Sequence, residues 1–393
     1  MKKLLVATLI GGLLTACAHI EPTSLAQVER VATFDGPMPC GVTVAENGRI
    51  FINYPHWGDN PPFTVGELKN GQVFAYPNAA VNQGDPARAA ETLISVQSVV
   101  ADGANRLWIL DTGAPNLSQP IPGGAKLVAV DMATNQIVRS ILLSPNVLRP
   151  SSYVNDMRFD LRQGKAGVAY ITDSSASAGG GIIVVDLASE QALRRLSGHP
   201  SVSPDTDFVP KIEGKILMNR PADGSPTPFQ VASDGIALSP DGALLYYSPL
   251  SSRHLYSVPT ALLRDAAVSD ASIAAVVRDL GLKGASDGLA EDSQGHIYAG
   301  DYENNAIRRY AEGHWQTIAQ DPRILWPDTL SVGTDGYLYF TANQLHRQAG
   351  FHSGVDQRQR PYELLRIHVG SEPVILRQST SVTGRSRNWP IPW

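Results

Sequence analysis

Alternation of apolar and polar positions on both sides of a tight turn recurs six times along the chain, at residues 41–55, 98–113, 156–174, 234–250, 287–305 and 328–345. Period two around turns such as Pro240-Asp241-Gly242 and Thr334-Asp335-Gly336 predicts β-hairpins, because successive strand side chains point to opposite faces and Gly supplies the turn. The copies start 57, 58, 78, 53 and 41 residues apart, room for four short strands and their connections. Apolar runs between them, at 126–132, 181–187, 254–259, 306–311 and 364–369, supply a further strand each. Four-stranded sheets repeated radially bury both faces against their neighbours and hide their edges. The pattern therefore predicts an all-β fold, a six-bladed β-propeller over residues 27–370. A sandwich cannot hold six equivalent hairpins in one core, no seventh copy is present for a larger ring, and helical periodicity is confined to a stretch near 259–268. Ring closure would pair 27–34 with the strand near 364–369, and 371–393 reads as a polar tail.

Composition agrees with a turn-rich globular domain. The chain has 393 residues with 35 Gly and 28 Pro, 43% hydrophobic and only 18% charged, too much core material for disorder and too little charge for a long coiled coil. A net charge of −5 lacks the basic face that a nucleic-acid partner needs.

The first residues read as an export leader: Lys2-Lys3, an apolar run to Leu14, then Leu14-Thr15-Ala16-Cys17, which resembles a bacterial lipobox. The resemblance implies a signal peptide over 1–16, lipid on Cys17, an anchor and linker over 17–26, and display at the cell envelope, periplasm-facing or extracellular. The apolar run is shorter than the roughly 20 residues that span a bilayer, so membrane contact is expected through the lipid alone. Cys40 is the only other cysteine, which leaves no intrachain disulfide if Cys17 is lipidated.

The first strand of each propeller blade lines the central channel, so equivalent repeat positions become neighbours around one axis. Four of these positions are Asp156, Asp234, Asp287 and Asp328, with Asn155 beside the first. Two carboxylates about 5 Å apart repel by roughly 3 kcal/mol at an effective dielectric near 20. Either a hard cation, Ca²⁺ or Mg²⁺, sits among them, or some of the carboxyls hold protons at neutral pH; the competing reading is that they cap backbone amides as Asx turns do. Asp111-Thr112-Gly113 resembles an aspartic-protease loop without the second Asp that such a site needs. Gly284-Ala-Ser286-Asp-Gly288 matches a nucleophile elbow without the helix that should follow. The nine histidines show no metal-ligand spacing, and no phosphate loop or dinucleotide fingerprint is present, so no organic cofactor is expected.

Trp108-Ile-Leu-Asp-Thr-Gly, Tyr153-Val-Asn-Asp-Met, Ala169-Tyr-Ile-Thr-Asp-Ser, Asp234-Gly-Ile-Ala-Leu-Ser-Pro, Ser286-Asp-Gly-Leu-Ala and Leu325-Trp-Pro-Asp-Thr-Leu resemble the Yellow and major royal jelly protein family, collinearly from about residue 41 to 347. That resemblance implies a six-bladed propeller and, for different members, dopachrome conversion, amine binding in the channel, or storage and signalling. It places ligand contacts at Thr329 and Asn343, with Trp326 nearby. More distantly, the chain is similar to gluconolactonases and the senescence marker proteins. That similarity implies a channel metal with Asp287 as ligand and general base, Asp234 as a second ligand and Asn155 against substrate; the family's first-blade Glu is replaced by Pro39-Cys40-Gly41. Three functions follow as expectations. The first is an envelope protein binding, and isomerising through Asp287 and Asp234, a small aromatic or sugar-derived molecule. The others are a divalent-metal lactonase and a non-catalytic binding or scaffold protein.

Overall fold

The structure is a computed structural model and describes residues 25–378. It contains six four-stranded antiparallel sheets in a ring, together with two small hairpins. The innermost strands are Val42–Val44, Val96–Ala101, Val154–Asp160, Ser233–Leu238, Ser286–Glu291 and Pro327–Val332. Each apolar run expected between the repeats is the third strand of its blade, as with His254–Pro259 and Ala306–Ala311. The helical stretch is limited to Thr260–Arg264 and Asp270–Ala274, and no helix among the described residues is long and apolar enough to cross a membrane.

Closure follows the expected pairing. Glu29–Phe34 is the outer strand of the sixth blade and runs antiparallel to Tyr362–His368, with Glu29 opposite Arg366 and Phe34 opposite Tyr362. The first and last blade strands among the described residues thus share one sheet, which closes the ring. Blade faces pack as apolar layers; Trp108 of blade two stacks on Phe159 of blade three with centroids 5.0 Å apart. The Asp111-Thr-Gly loop is architectural. Lys126 Nζ, almost fully buried, donates to Asp111 Oδ2 at 2.7 Å and to the carbonyls of Ala89, Thr92 and Gly124, while Asp111 also accepts the amides of Ile94, Ser95 and Gly113.

Two features bear on the channel. The start of the expected polar tail is not free: Pro373 bridges to Asp292, Leu161 N donates to Leu376 O, and Leu376 is buried. Residues 373–376 thereby close the lower end over a cavity of about 90 Å³ lined by Asp156, Arg158, Glu291 and Thr329. The upper end is covered by a long insertion between blades three and four, which carries the hairpins Lys211–Ile212/Lys215–Ile216 and Met218–Asn219/Thr227–Pro228. Period-two reasoning cannot find strands of two residues. The leader, Cys17 and residues 379–393 lie outside the described residues.

Candidate functional site

The upper ends of the six inner strands form one ring of side chains, and a small residue or a second polar one follows each: Cys40-Gly41, Gln97-Ser98, Asn155-Asp156, Asp234-Gly235, Asp287-Gly288 and Asp328-Thr329. The pairing register slips at the start of five of these strands, and such bulges re-aim side chains at a sheet end. Neighbouring blades then clamp the ring backbone. Asn53 Nδ2, Thr172 Oγ1 and Thr341 Oγ1 donate to the carbonyls of Gln97, Asp234 and Cys40 in the next blade. Where no such bridge exists, glycine permits direct approach: a Cβ on Gly235 or Gly288 would lie 2.6 Å from the carbonyl oxygen of Asp287 or Asp328. The Asp-Gly pairs of the sequence are thus a ring acid followed by a blade contact.

This register corrects one expectation. In blade three the ring member is Asn155. Asp156 turns to the lower cavity, where it accepts from Ser98 Oγ at 2.8 Å and pairs with Arg158, which in turn pairs with Glu291. The acidic ring therefore has three carboxyls, Asp234, Asp287 and Asp328, each with 5% exposure or less. Asp234 Oδ2 accepts from Asn155 Nδ2 at 2.5 Å and Ser174 Oγ at 3.1 Å. Asp287 Oδ2 accepts from Trp326 Nε1 at 2.7 Å. Asp328 accepts from Asn343 Nδ2 at 2.6 Å, from Thr329 Oγ1 at 3.2 Å and from the Cys40 thiol at 3.3 and 3.4 Å. Thr329, expected against ligand, opens to the lower cavity instead, while Asn343 and Trp326 are fully buried beside the acids.

Burial raises all three acids. The Asp234 carboxyl is held well above the carboxylate range, first by burial and then by the charges of Asp287 and Asp328. Burial lifts Asp287 to about 6, opposed by the hydrogen bonds from Trp326 and Asp234. Asp328 also rises, through burial and the Asp287 charge. Carboxyls raised unequally in one buried ring meet the condition under which one group acts as acid and its neighbour as base.

Sequence reasoning missed the rest of the ring. Gln97 donates to Cys40 Sγ at 3.3 Å and to Asn155 Oδ1 at 3.2 Å, and accepts from Tyr153 OH at 2.9 Å; Trp57 Nε1 donates to Tyr153 OH at 2.7 Å. Because Cys40 accepts from Gln97, its S–H is directed to Asp328. Aligning the blades on the residue before the small position would have found Cys40 and Gln97. Lys283 is fully buried near the pair, with burial lowering its ammonium to about 7 against the pull of nearby aspartates; a lone Lys between two blades carries no sequence signal. Trp326 has φ +56°, a left-handed conformation that a bulky aromatic adopts only when its surroundings impose it. Its ring lies parallel on Tyr302, 4.2 Å away at 7°. Ser286 sits in a strand that leads into a second strand, so no nucleophile elbow forms.

Three comparisons bear on kinship. The model of the family described as Major royal jelly protein matches residues 94–370. "Protein yellow" of Drosophila erecta is 27% identical over 251 residues, 58% of this chain and 42% of that protein. "Major royal jelly protein 1" of Apis mellifera is 28% identical over 179 residues, 44% and 38% of the two. The matched region thus spans about two fifths of these relatives' length. Among solved structures, a luciferin-regenerating enzyme superposes with TM-score 0.53 at 12% identity, covering 90% of this chain and 100% of the other. A gluconolactonase from Xanthomonas campestris does so with TM-score 0.50 at 13% identity, covering 89% and 99%. At such identities these two share the fold.

Proposed function

The chain belongs to the major royal jelly protein family, and from that premise we propose that the channel mouth binds a small molecule and isomerises it by moving a proton. The observation that carries this reading is the set of buried ring carboxyls, of which burial raises Asp234 well above the carboxylate range and Asp287 to about 6, with Trp326 Nε1, stacked on Tyr302, donating to Asp287 Oδ2 at 2.7 Å. The Asp287 carboxylate takes a proton from carbon, and the Asp234 carboxyl returns one to a second atom of the same molecule. Atoms balance without a co-reactant, and the pair ends with its proton moved from Asp234 to Asp287. An aromatic ligand fits best, preferably one bearing positive charge: the walls supply Trp326, Tyr302, Trp57 and Tyr153, and the ring is acidic.

The donor set argues for protons rather than a resident Ca²⁺ or Mg²⁺. Asp328 faces N–H, O–H and S–H donors, Asp234 and Asp287 face such donors and each other, and the blade-one member is a thiol, a poor ligand for hard cations. Among the described residues no group of three or more His, Cys, Asp or Glu side chains is arranged to hold a metal ion. The lactonase reading, which needs that metal, is accordingly not favoured. The reading also includes an envelope anchor at Cys17. Glu29 enters the ring opposite Arg366 at the end remote from the mouth.

The test is turnover of catechol-derived indoline substrates followed optically, beside binding of the same compounds. Activity in the wild type that Asp287→Asn and Asp234→Asn each reduce by at least about 10²-fold, the low end for a general acid or base, supports the reading. Binding without turnover makes the protein a carrier, and lactone hydrolysis restored by Ca²⁺ after chelation favours the metal enzyme.

A further inference from the structure

No member of the ring is open to solvent in this structure. Cys40 has no exposed surface, Gln97 and Asn155 have 4% and 8%, and Asp234, Asp287 and Asp328 have 2%, 5% and 3%. A ligand therefore enters only if something moves. The lower end is held by backbone hydrogen bonds from Leu161 to Leu376 and from Ser293 to Glu372, and by the bridge between Asp292 and Pro373. The upper end is covered by weaker material. The hairpin Lys211–Ile212/Lys215–Ile216 has two residues per strand, pairs with no other strand, and leaves Lys211, Lys215 and Ile216 exposed. A two-stranded hairpin is marginal on its own, so its anchorage decides whether it stays down: at its base Lys211 N donates to Glu303 Oε1 at 2.8 Å, and its side-chain clasp lies at its tip. There Glu213, at φ +49°, and Gly214, at φ +80°, make the turn. Glu213 accepts from His346 Nε2 at 2.9 Å and from Arg347 Nε at 3.0 Å, with Arg347 Nη2 on its other oxygen. His346 lies flat over Trp326, centroids 5.9 Å apart at 16°, and Trp326 donates to Asp287. One column thus runs from the hairpin tip to the acid pair.

We propose that this hairpin is the gate of the channel mouth and that Glu213, clasping His346 and Arg347 of blade six, is its latch. Opening requires release of that clasp and of the Lys211–Glu303 hydrogen bond, and withdrawal of Ile212, its one buried side chain, whereas the ring itself stays intact. The proposal deepens the reading of the mouth as the binding site, but its test needs no ligand. Cys40 lies in the covered ring, so its modification reports opening directly.

The experiment measures the rate at which a methanethiosulfonate reagent modifies Cys40 in the full chain carrying Cys17→Ser, across low urea concentrations. The account expects Glu213→Ala to raise the rate at least tenfold, Glu213→Gln to raise it less, and replacement of residues 211–216 by two glycines to raise it most. The rate should depend only weakly on urea, as local opening does, and the ring should melt within a few degrees of the parent. A rate unchanged in Glu213→Ala, or one whose urea dependence equals that of global unfolding, overturns the gate. Loss of turnover with the gate intact would bear on the acid pair alone.

Discussion

Asp287 and Asp111 are both buried aspartates, and their partners separate chemistry from architecture. Asp111 has a full cation, Lys126, at 2.7 Å and three backbone amides. Replacing it with Asn leaves that ammonium buried without a counter-charge, and breaking such a pair costs about 3–5 kcal/mol; denaturant titration at any neutral pH should show it. Asp287 has no such compensation, and burial lifts it to about 6. A carboxyl raised on folding contributes stability that is fully present below its unfolded value near 4 and lost as pH climbs through the folded one. Asp287→Asn should therefore be more stable than the wild type at pH 8, by on the order of 2–3 kcal/mol for two pKa units, with the advantage shrinking towards pH 5. The same group must be ionised to act as base, so wild-type turnover should rise as pH passes upward through about 6. A stability gain in Asp287→Asn without loss of turnover would remove it from the mechanism. The acids themselves were legible in the sequence because repeat equivalence places them on one axis. Which of Asn155 and Asp156 joins them was not, since the bulge between Val154 and Met157 turns one residue up and the next down without altering the local pattern.

At the scale of elements, the hairpins were readable because period two is a local property, and the helices were correctly expected to be brief. The small residue after each ring position carries information of another kind, a contact between blades. Gly288→Ala would set a Cβ 2.6 Å from the Asp328 carbonyl, and forcing that contact should cost about 1–3 kcal/mol and move the acids apart. Gly36→Ala, where a Cβ meets nothing within 4 Å, should stay within about 0.5 kcal/mol of the parent. Thermal unfolding of the pair checks the contrast, and equal effects would mean that the ring backbone has slack. The gate hairpin escaped the sequence because two-residue strands have no periodicity. The segment that closes the lower end escaped because Val374-Ile375-Leu376 is a run of only three apolar residues in a polar stretch.

For the whole molecule, the ring is closed by residues far apart in the chain, and the lower end of its channel by the segment after the last blade. Truncation after residue 370 removes the buried Leu376 and uncovers the lower cavity, and burying a Leu side chain is worth roughly 1.5–3 kcal/mol. The truncated protein should melt lower yet keep six blades by circular dichroism, whereas deletion through Phe34, which strips the outer strand of blade six, should abolish cooperative unfolding. The proposed anchor is tested at the same scale: Cys17→Ser should shift the protein from the membrane to the soluble fraction, and an unchanged distribution would count against lipidation. The fold was legible from six repeats and their spacing, because a propeller is the economical way to bury them all.

The proposed chemistry turns on a proton held by buried aspartates at neutral pH. Infrared difference spectra of the wild type and Asp234→Asn, recorded between about pH 5 and 8, would look for the carbonyl band of a protonated carboxylic acid, which ionised carboxylates lack. A carboxyl kept protonated by burial predicts a band that survives at neutral pH, loses intensity in Asp234→Asn and is unaffected by added Ca²⁺. A wild type with no such band at pH 7, or one whose band is abolished by Ca²⁺, would contradict it and return the ring to metal binding.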